Sequence, residues 1–263
     1  MDMDITVPVP GGMVWAQDTG GEGMPVVLLH PGVGDSRIWD GVVPLLAPHH
    51  RVIRYDARGF GRSPAPTVSY SNARDLAVVL DHFGLERAVL AGSSLGGATA
   101  VSVALAAPGR VAGLGLLCPG VTGYPELSSP AVTARIGELA KAGDVDGLVE
   151  LGLRTWGAAG SGTDDEAAAQ LRAAVPAWFA THPYVTQDAP AFDRLPELDV
   201  PCVLALGEQD QDEVVRCNEA MAARIPGCRL VRWPHCDHFP SLRDPGAVAG
   251  LLLELAAGPR SAP

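Results

Sequence analysis

Short apolar runs bounded by turn residues alternate along the chain with stretches in which apolar positions recur every three or four residues. Val26 to Leu29 is the clearest run, uninterrupted by any polar residue, as a strand covered on both faces requires. Arg51 to Tyr55, Arg87 to Ala91, Leu114 to Cys118, Val203 to Leu206 and Leu230 to Trp233 are the other β-branched or Leu-rich runs that read as strands. Ahead of them, Ile5 to Val9 and Met13 to Ala16 flank Pro10-Gly11-Gly12, which predicts an antiparallel hairpin at the start of a sheet.

The intervening segments carry the helical period. Between Asn72 and Phe83, Leu76, Val79, Leu80 and Phe83 fall on one helix face before Gly84. A second helix is predicted over Leu95 to Ala107, ended by Pro108-Gly109. Strands alternating with helices imply a mostly parallel central sheet flanked by helices, an α/β fold. The alternation stops between residues 119 and 196, where helical patterns at Ala131–Ala142, Val145–Trp156 and Asp165–Phe179 occur with no strand-like run. Gly157 to Thr163 reads as a Gly/Ser-rich break within them. The expected organisation is a core of residues 1–118 and 197–263, with a helical cap inserted at 119–196.

Composition narrows the functional classes. The 263 residues carry a formal net charge of −11 and no Lys/Arg cluster, which excludes a nucleic-acid backbone or an anionic membrane surface as partner. No apolar run approaches the roughly 20 residues that span a bilayer, and Met1 to Pro10 lacks the basic and apolar regions of a secretory signal. The five cysteines contain no C-x-x-C pair and read as free thiols in a reducing compartment, so a cytoplasmic protein is expected. With no heptad pattern, the sequence specifies no oligomeric state.

The candidate chemistry begins at Gly92-Ser93-Ser94-Leu95-Gly96. The G-x-S-x-G pattern alone recurs by chance, but here it follows a predicted strand directly and opens a predicted helix, the setting of a nucleophile elbow. Ser94 would stand at the carboxyl end of the sheet, where a helix N-terminus stabilises developing negative charge. A serine hydroxyl needs a base, and the base needs an orienting carboxylate. Asp210 lies just past the strand Val203 to Leu206, and His238 lies past the strand Leu230 to Trp233, so both reach the same sheet edge. Ser93, the acidic neighbours Glu208 and Asp212, and His235 are the rivals for the three roles. His235-Cys236-Asp237-His238 holds metal-capable residue types, but without a second, separated pair of ligands it does not make a zinc pattern. Trp156, Trp178, Phe179 and Tyr184 of the insertion could line a pocket or belong to its core.

These residues together resemble the α/β-hydrolases, and among them the capped esterases, enol-lactonases and perhydrolases. Leu29 to Asp40, with His30 and Trp39, is similar to the family's oxyanion loop; Asp56-Ala57-Arg58-Gly59-Phe60-Gly61-Arg62-Ser63 to its D-x-R-G-x-G-x-S turn; and His238 with Pro245 to its histidine loop. Two positions depart from the pattern: Asp237 stands where the family has a glycine before the histidine, and Pro31 replaces the glycine of His-Gly. The resemblance implies a serine hydrolase that cleaves a small carboxylic ester or lactone. Ser94 would be the nucleophile, His238 the base and Asp210 its partner, with the N–H groups of Gly32 and Leu95 as the oxyanion hole, since Pro31 has none to offer. No cofactor or metal is implied, and the partner is a small-molecule substrate. A C–C bond hydrolase, a cofactor-free perhydrolase, and a non-hydrolytic biosynthetic or ligand-binding protein are the alternatives.

Overall fold

The structure, a computed structural model, describes residues 3–127, 129–160 and 165–258. The ends of the expected core, residues 1–2 and 259–263, and residues 161–163 of the expected Gly/Ser break lie outside them. An 8-stranded sheet in the order β1-β2-β4-β3-β5-β6-β7-β8 forms the centre. Its strands are β1 (Met3–Val9), β2 (Gly12–Asp18), β3 (Val26–Leu29), β4 (Val52–Tyr55), β5 (Ala88–Ser93), β6 (Val111–Leu117), β7 (Cys202–Gly207) and β8 (Arg229–Trp233). The hairpin β1–β2 is antiparallel, with Gly11 at its tip at φ +74°, and β2 joins the sheet antiparallel to β4. Every other pairing is parallel. All residues of β3, β4, β5 and β7 are buried; β3 is apolar throughout, as burial on both faces requires, whereas β4 carries the buried Arg54 and β5 ends at the buried Ser93.

The helices are α1 (Val43–Leu46), α2 (Asn72–His82), α3 (Leu95–Ala106), α4 (Pro130–Ala142), α5 (Val145–Trp156), α6 (Asp165–Thr181), α7 (Asp212–Arg224), α8 (Pro240–Arg243) and α9 (Pro245–Ala256). Ser71 caps α2 by accepting the Arg74 N–H, and Leu76, Val79 and Leu80 are the face it buries. One face of the sheet packs with α2, α3 and α7 in one apolar core, and the other with α9 in a second. Helices α4, α5 and α6 pack together between β6 and β7, where the strand pattern lapses. The expected helix at 165–179 extends to Thr181, and β5 runs two residues past the predicted Ala91 into the elbow. Among the described residues, no helix is long and apolar enough to cross a membrane.

The Asp56–Ser63 turn is structural. Asp56 accepts the N–H groups of Ser36 and Arg62, and Arg58 makes a buried bidentate pair with Asp75 of α2 at 2.6 and 2.7 Å. Gly59 and Gly61 have φ of +79° and +50°, and a Cβ at Gly61 would lie 2.3 Å from the Asp56 carboxylate.

Candidate active site

Ser94 stands between β5 and α3 with φ 49° and ψ −110°, a backbone conformation that L-residues rarely adopt. The turn is held from both sides. The Ser94 N–H donates to the Leu117 carbonyl of β6, and the Ser94 carbonyl accepts from Ala98 and Gly120. A Cβ on Gly92 would lie 2.3 Å from the Gly96 carbonyl, and one on Gly96 would lie 2.3 Å from the Leu29 carbonyl. Only glycine allows so tight a strand-to-helix reversal. Ser93 is fully buried, whereas Ser94 opens onto a cavity of about 180 Å³.

His238 lines the same cavity. Its Nδ1 lies 2.5 Å from Asp210 Oδ2, and both side chains are almost completely buried. Burial, the largest influence on the imidazole, opposes its protonation. The charge and hydrogen bond of Asp210, with the charge of Asp237, outweigh that and raise its pKa above the ordinary 6.5. Asp210 is held in turn, its Oδ1 accepting the Gln211 N–H at 2.8 Å and its own N–H donating to Gly207. The rivals face elsewhere. His235 and Asp212 are exposed, and Glu208 is exposed and pairs with Arg232.

The inserted helices hold the loops that carry His238 and Gly32. The His238 N–H donates to the Trp156 carbonyl at the end of α5, and the Ala159 N–H donates to Asp237 Oδ2. On the opposite side, Trp178 Nε1 of α6 donates to the Gly32 carbonyl at 2.6 Å, and Gln170 Oε1 accepts the Asp35 N–H. Gly34 leaves the room this needs, because a Cβ there would lie 2.3 Å from Gln170 Oε1. Asp237, at the position that departs from the family pattern, is fully buried. It accepts from Phe239 N–H and forms a bidentate pair with Arg243, so a buried ion pair anchors the loop a glycine would leave free.

Gly32 lies against Leu95, an ideal Cβ on it standing about 3.7 Å from the Leu95 side chain, so the two residues expected to supply the oxyanion donors are neighbours. Leu95 opens α3, where its N–H has no intrahelical acceptor. Pro31 contributes a carbonyl, which accepts from His30 Nδ1 at 2.8 Å, while His30 Nε2 accepts the Ala57 N–H. These two partners select the Nδ1–H tautomer and brace the loop that follows β3.

Of the four aromatic candidates, only Trp156 lines the cavity; Trp178 acts through Gly32, Phe179 is 47% exposed, and the Tyr184 carbonyl accepts the Tyr70 N–H. The remaining wall includes Val33, Leu127, Val214, Gln211 and Cys118, which the sequence did not single out. Gln211 had one signal, its place beside Asp210 at a strand end, and its Oε1 is buried with no hydrogen-bond partner among the described residues. Cys118 has φ +42°, donates to the Asp237 carbonyl and accepts the Gly207 N–H. Its sulfur and ligand-capable atoms of Asp210 and His238 lie within 4.8 Å of one another. Burial, with the nearby Asp210 charge, pushes its thiol pKa far up, so it is an inert spacer between β6, β7 and the histidine loop.

Residues 26–251 match the Alpha/beta hydrolase family. The chain is 30% identical over 244 residues to a 2-hydroxy-6-oxononadienedioate/2-hydroxy-6-oxononatrienedioate hydrolase of Cupriavidus pinatubonensis, covering 86% of this chain and 84% of that one. Among solved structures it is similar to Est816, an N-acyl homoserine lactone degrading enzyme, with 29% identity, a TM-score of 0.82 and coverage of 95% and 99%. The enol-lactonase of Burkholderia xenovorans LB400 shares the fold at 22% identity, with a TM-score of 0.81 and coverage of 96% and 100%.

Proposed function

Because the chain belongs to the alpha/beta hydrolase family, and is a hydrolase, we propose that it cleaves a small, uncharged carboxylic ester or lactone through a Ser94–His238–Asp210 triad. The observation that carries this reading is the cavity that Ser94 and His238 share. At about 180 Å³ it is below the usual range for ligand pockets, and among its described lining residues there is no Lys or Arg. A dianionic substrate would leave its carboxylates without a cation there, at a high desolvation cost. Val33, Leu127, Trp156 and Val214 instead suit a short apolar acyl or lactone ring.

His238 Nε2 takes the Ser94 proton as the Oγ attacks the substrate carbonyl, while Asp210 holds Nδ1–H and stabilises the imidazolium. The Gly32 and Leu95 N–H groups receive the oxyanion, each such donor contributing about 2.7–4 kcal/mol to the transition state. The imidazolium then protonates the departing alkoxide, leaving an acyl group on Ser94. Water deprotonated by His238 releases the acid. Residues 119–196 serve as the cap over a core of 1–118 and 197–263, and the five free thiols suit a cytoplasmic setting.

A serine-directed fluorophosphonate tests the reading. A single adduct mapping to Ser94, with ester or lactone turnover abolished in Ser94→Ala, is the expected result. An unlabelled, folded protein, or a Ser94→Ala variant that keeps its turnover, would overturn it. The similarity to the Cupriavidus enzyme favours a C–C hydrolase as the second reading. Turnover of a vinylogous 1,5-diketone acid in preference to every ester and lactone would select it.

A further inference from the structure

Cys202 opens β7, and Cys228 immediately precedes β8. In the parallel ladder Val203 faces Arg229, so the two cysteines occupy the next register pair towards the amino ends of both strands. Their sulfurs lie 3.7 Å apart. Cys202 is buried and Cys228 half-buried, and Cys202 lines a surface cleft of about 350 Å³ with Gly227 and Arg229. Neither thiol touches the candidate active site, which lies at the other end of the same strands.

We propose that Cys202 and Cys228 form a peroxide-responsive dithiol, which hydrogen peroxide or an alkyl hydroperoxide converts to an intramolecular disulfide. Disulfide closure needs the sulfurs to approach to about 2.05 Å, within reach of side-chain rotation on neighbouring strands. The hydrogen bond from Cys202 lowers the Cys228 thiol pKa against the opposing effect of burial, and the Leu204 N–H acts in the same direction. Cys228 is also the more accessible of the two, so it is the attacking thiolate. Its sulfur forms a bond to one peroxide oxygen as the O–O bond breaks, and the departing hydroxide takes a proton to become water. The Cys202 sulfur then displaces hydroxide from the Cys228 sulfenic acid, its own proton completing the second water. Two thiols are oxidised and one peroxide is reduced.

The bond would tie edge strand β8 to β7 at the ends remote from Ser94, Asp210 and His238. Oxidation therefore stabilises the sheet edge and leaves the reaction intact. This inference does not rest on the proposed substrate or triad.

The full-length protein is treated with a few equivalents of hydrogen peroxide, alkylated with iodoacetamide under denaturing conditions, and mapped by mass spectrometry. The expected result is a Cys202–Cys228 cross-linked peptide, alkylation retained at Cys118, Cys217 and Cys236, and reversal by dithiothreitol. Cys202→Ser should accumulate a sulfenic acid at Cys228 that dimedone traps, and Cys228→Ser should leave Cys202 reduced. The oxidised wild type should melt about 5 °C or more above the reduced protein, a gain that both variants lack. Retention of both thiols, or oxidation spread evenly over the five cysteines, would overturn the proposal.

Discussion

Replacing Arg243 with methionine removes the guanidinium that lies 2.8–3.2 Å from Asp237 and keeps most of the apolar stem. The Asp237 side chain is 0% exposed and that of Arg243 15% exposed, so the change strands a carboxylate inside the protein. Removing one partner of a buried pair costs about 3–5 kcal/mol. The N–H groups of Phe239 and Ala159 stay in place at 2.9 and 3.0 Å and offset part of this, which puts the expected loss near 3 kcal/mol, or a Tm drop of roughly 6–12 °C. Urea unfolding followed by tryptophan fluorescence measures it, with Trp156 a local reporter because its ring centroid lies 6.4 Å from that of His238. Adding Asp237→Asn should recover at least half of the loss, since the neutral amide still accepts a backbone N–H and leaves no buried charge. A loss below about 1 kcal/mol for Arg243→Met, or a double variant as unstable as the sum of the singles, would refute the view that this pair anchors the histidine loop.

Four further outcomes follow from the same geometry. Because His238 is raised above the ordinary imidazole value, kcat/KM should climb with pH through a midpoint above 6.5, and Asp210→Asn should lower kcat by about 10⁴-fold; a flat profile from pH 5 to 9 with Asp210→Asn unimpaired would contradict the triad. The same shift means that the His238–Asp210 pair contributes its full stability below about pH 6.5 and loses it as pH rises through the raised value, so the stability gap between wild type and His238→Gln should be wider at pH 6 than at pH 9 in urea titrations. In Gly207→Ala the new Cβ would lie 2.3 Å from the Asp237 carbonyl and 2.5 Å from that of Cys236; displacement of the loop should slow fluorophosphonate labelling of Ser94 and cost about 1–3 kcal/mol, and labelling at the wild-type rate would count against it. Gln211→Leu should reduce kcat/KM about tenfold for substrates carrying a hydroxyl or amide donor and leave unsubstituted esters unchanged, while an equal effect on both would remove Gln211 from substrate contact.

The legible parts of this protein are those whose cause is local. A run such as Val26–Leu29 must be a strand covered on both faces, because nothing in it tolerates water. The elbow was legible because strand, glycines, serine and helix are consecutive, and the clash of a Cβ at Gly92 or Gly96 arises within one turn and its neighbouring strand. Asp210 and His238 were placed at one sheet edge by strand direction alone, and the family pattern supplied their roles. That their side chains meet at 2.5 Å, while His235 remains exposed, depends on β7 and β8 being neighbours, which loop closure and sheet order decide. The departure at Asp237 was visible in the sequence but its reason was not: the answer lies in Ala159 and Arg243, one of them 78 residues away. The hydrogen bonds that tie Trp156 to His238, Gln170 to Asp35 and Trp178 to Gly32 likewise join the insertion to distant core residues. Cys202 and Cys228 read as unrelated thiols until the parallel register of β7 and β8 set them side by side. Backbone conformation and burial follow from near neighbours in the chain, whereas the pairing of a polar side chain follows from what the whole fold packs against it, and it is those pairings that hold the candidate site in shape.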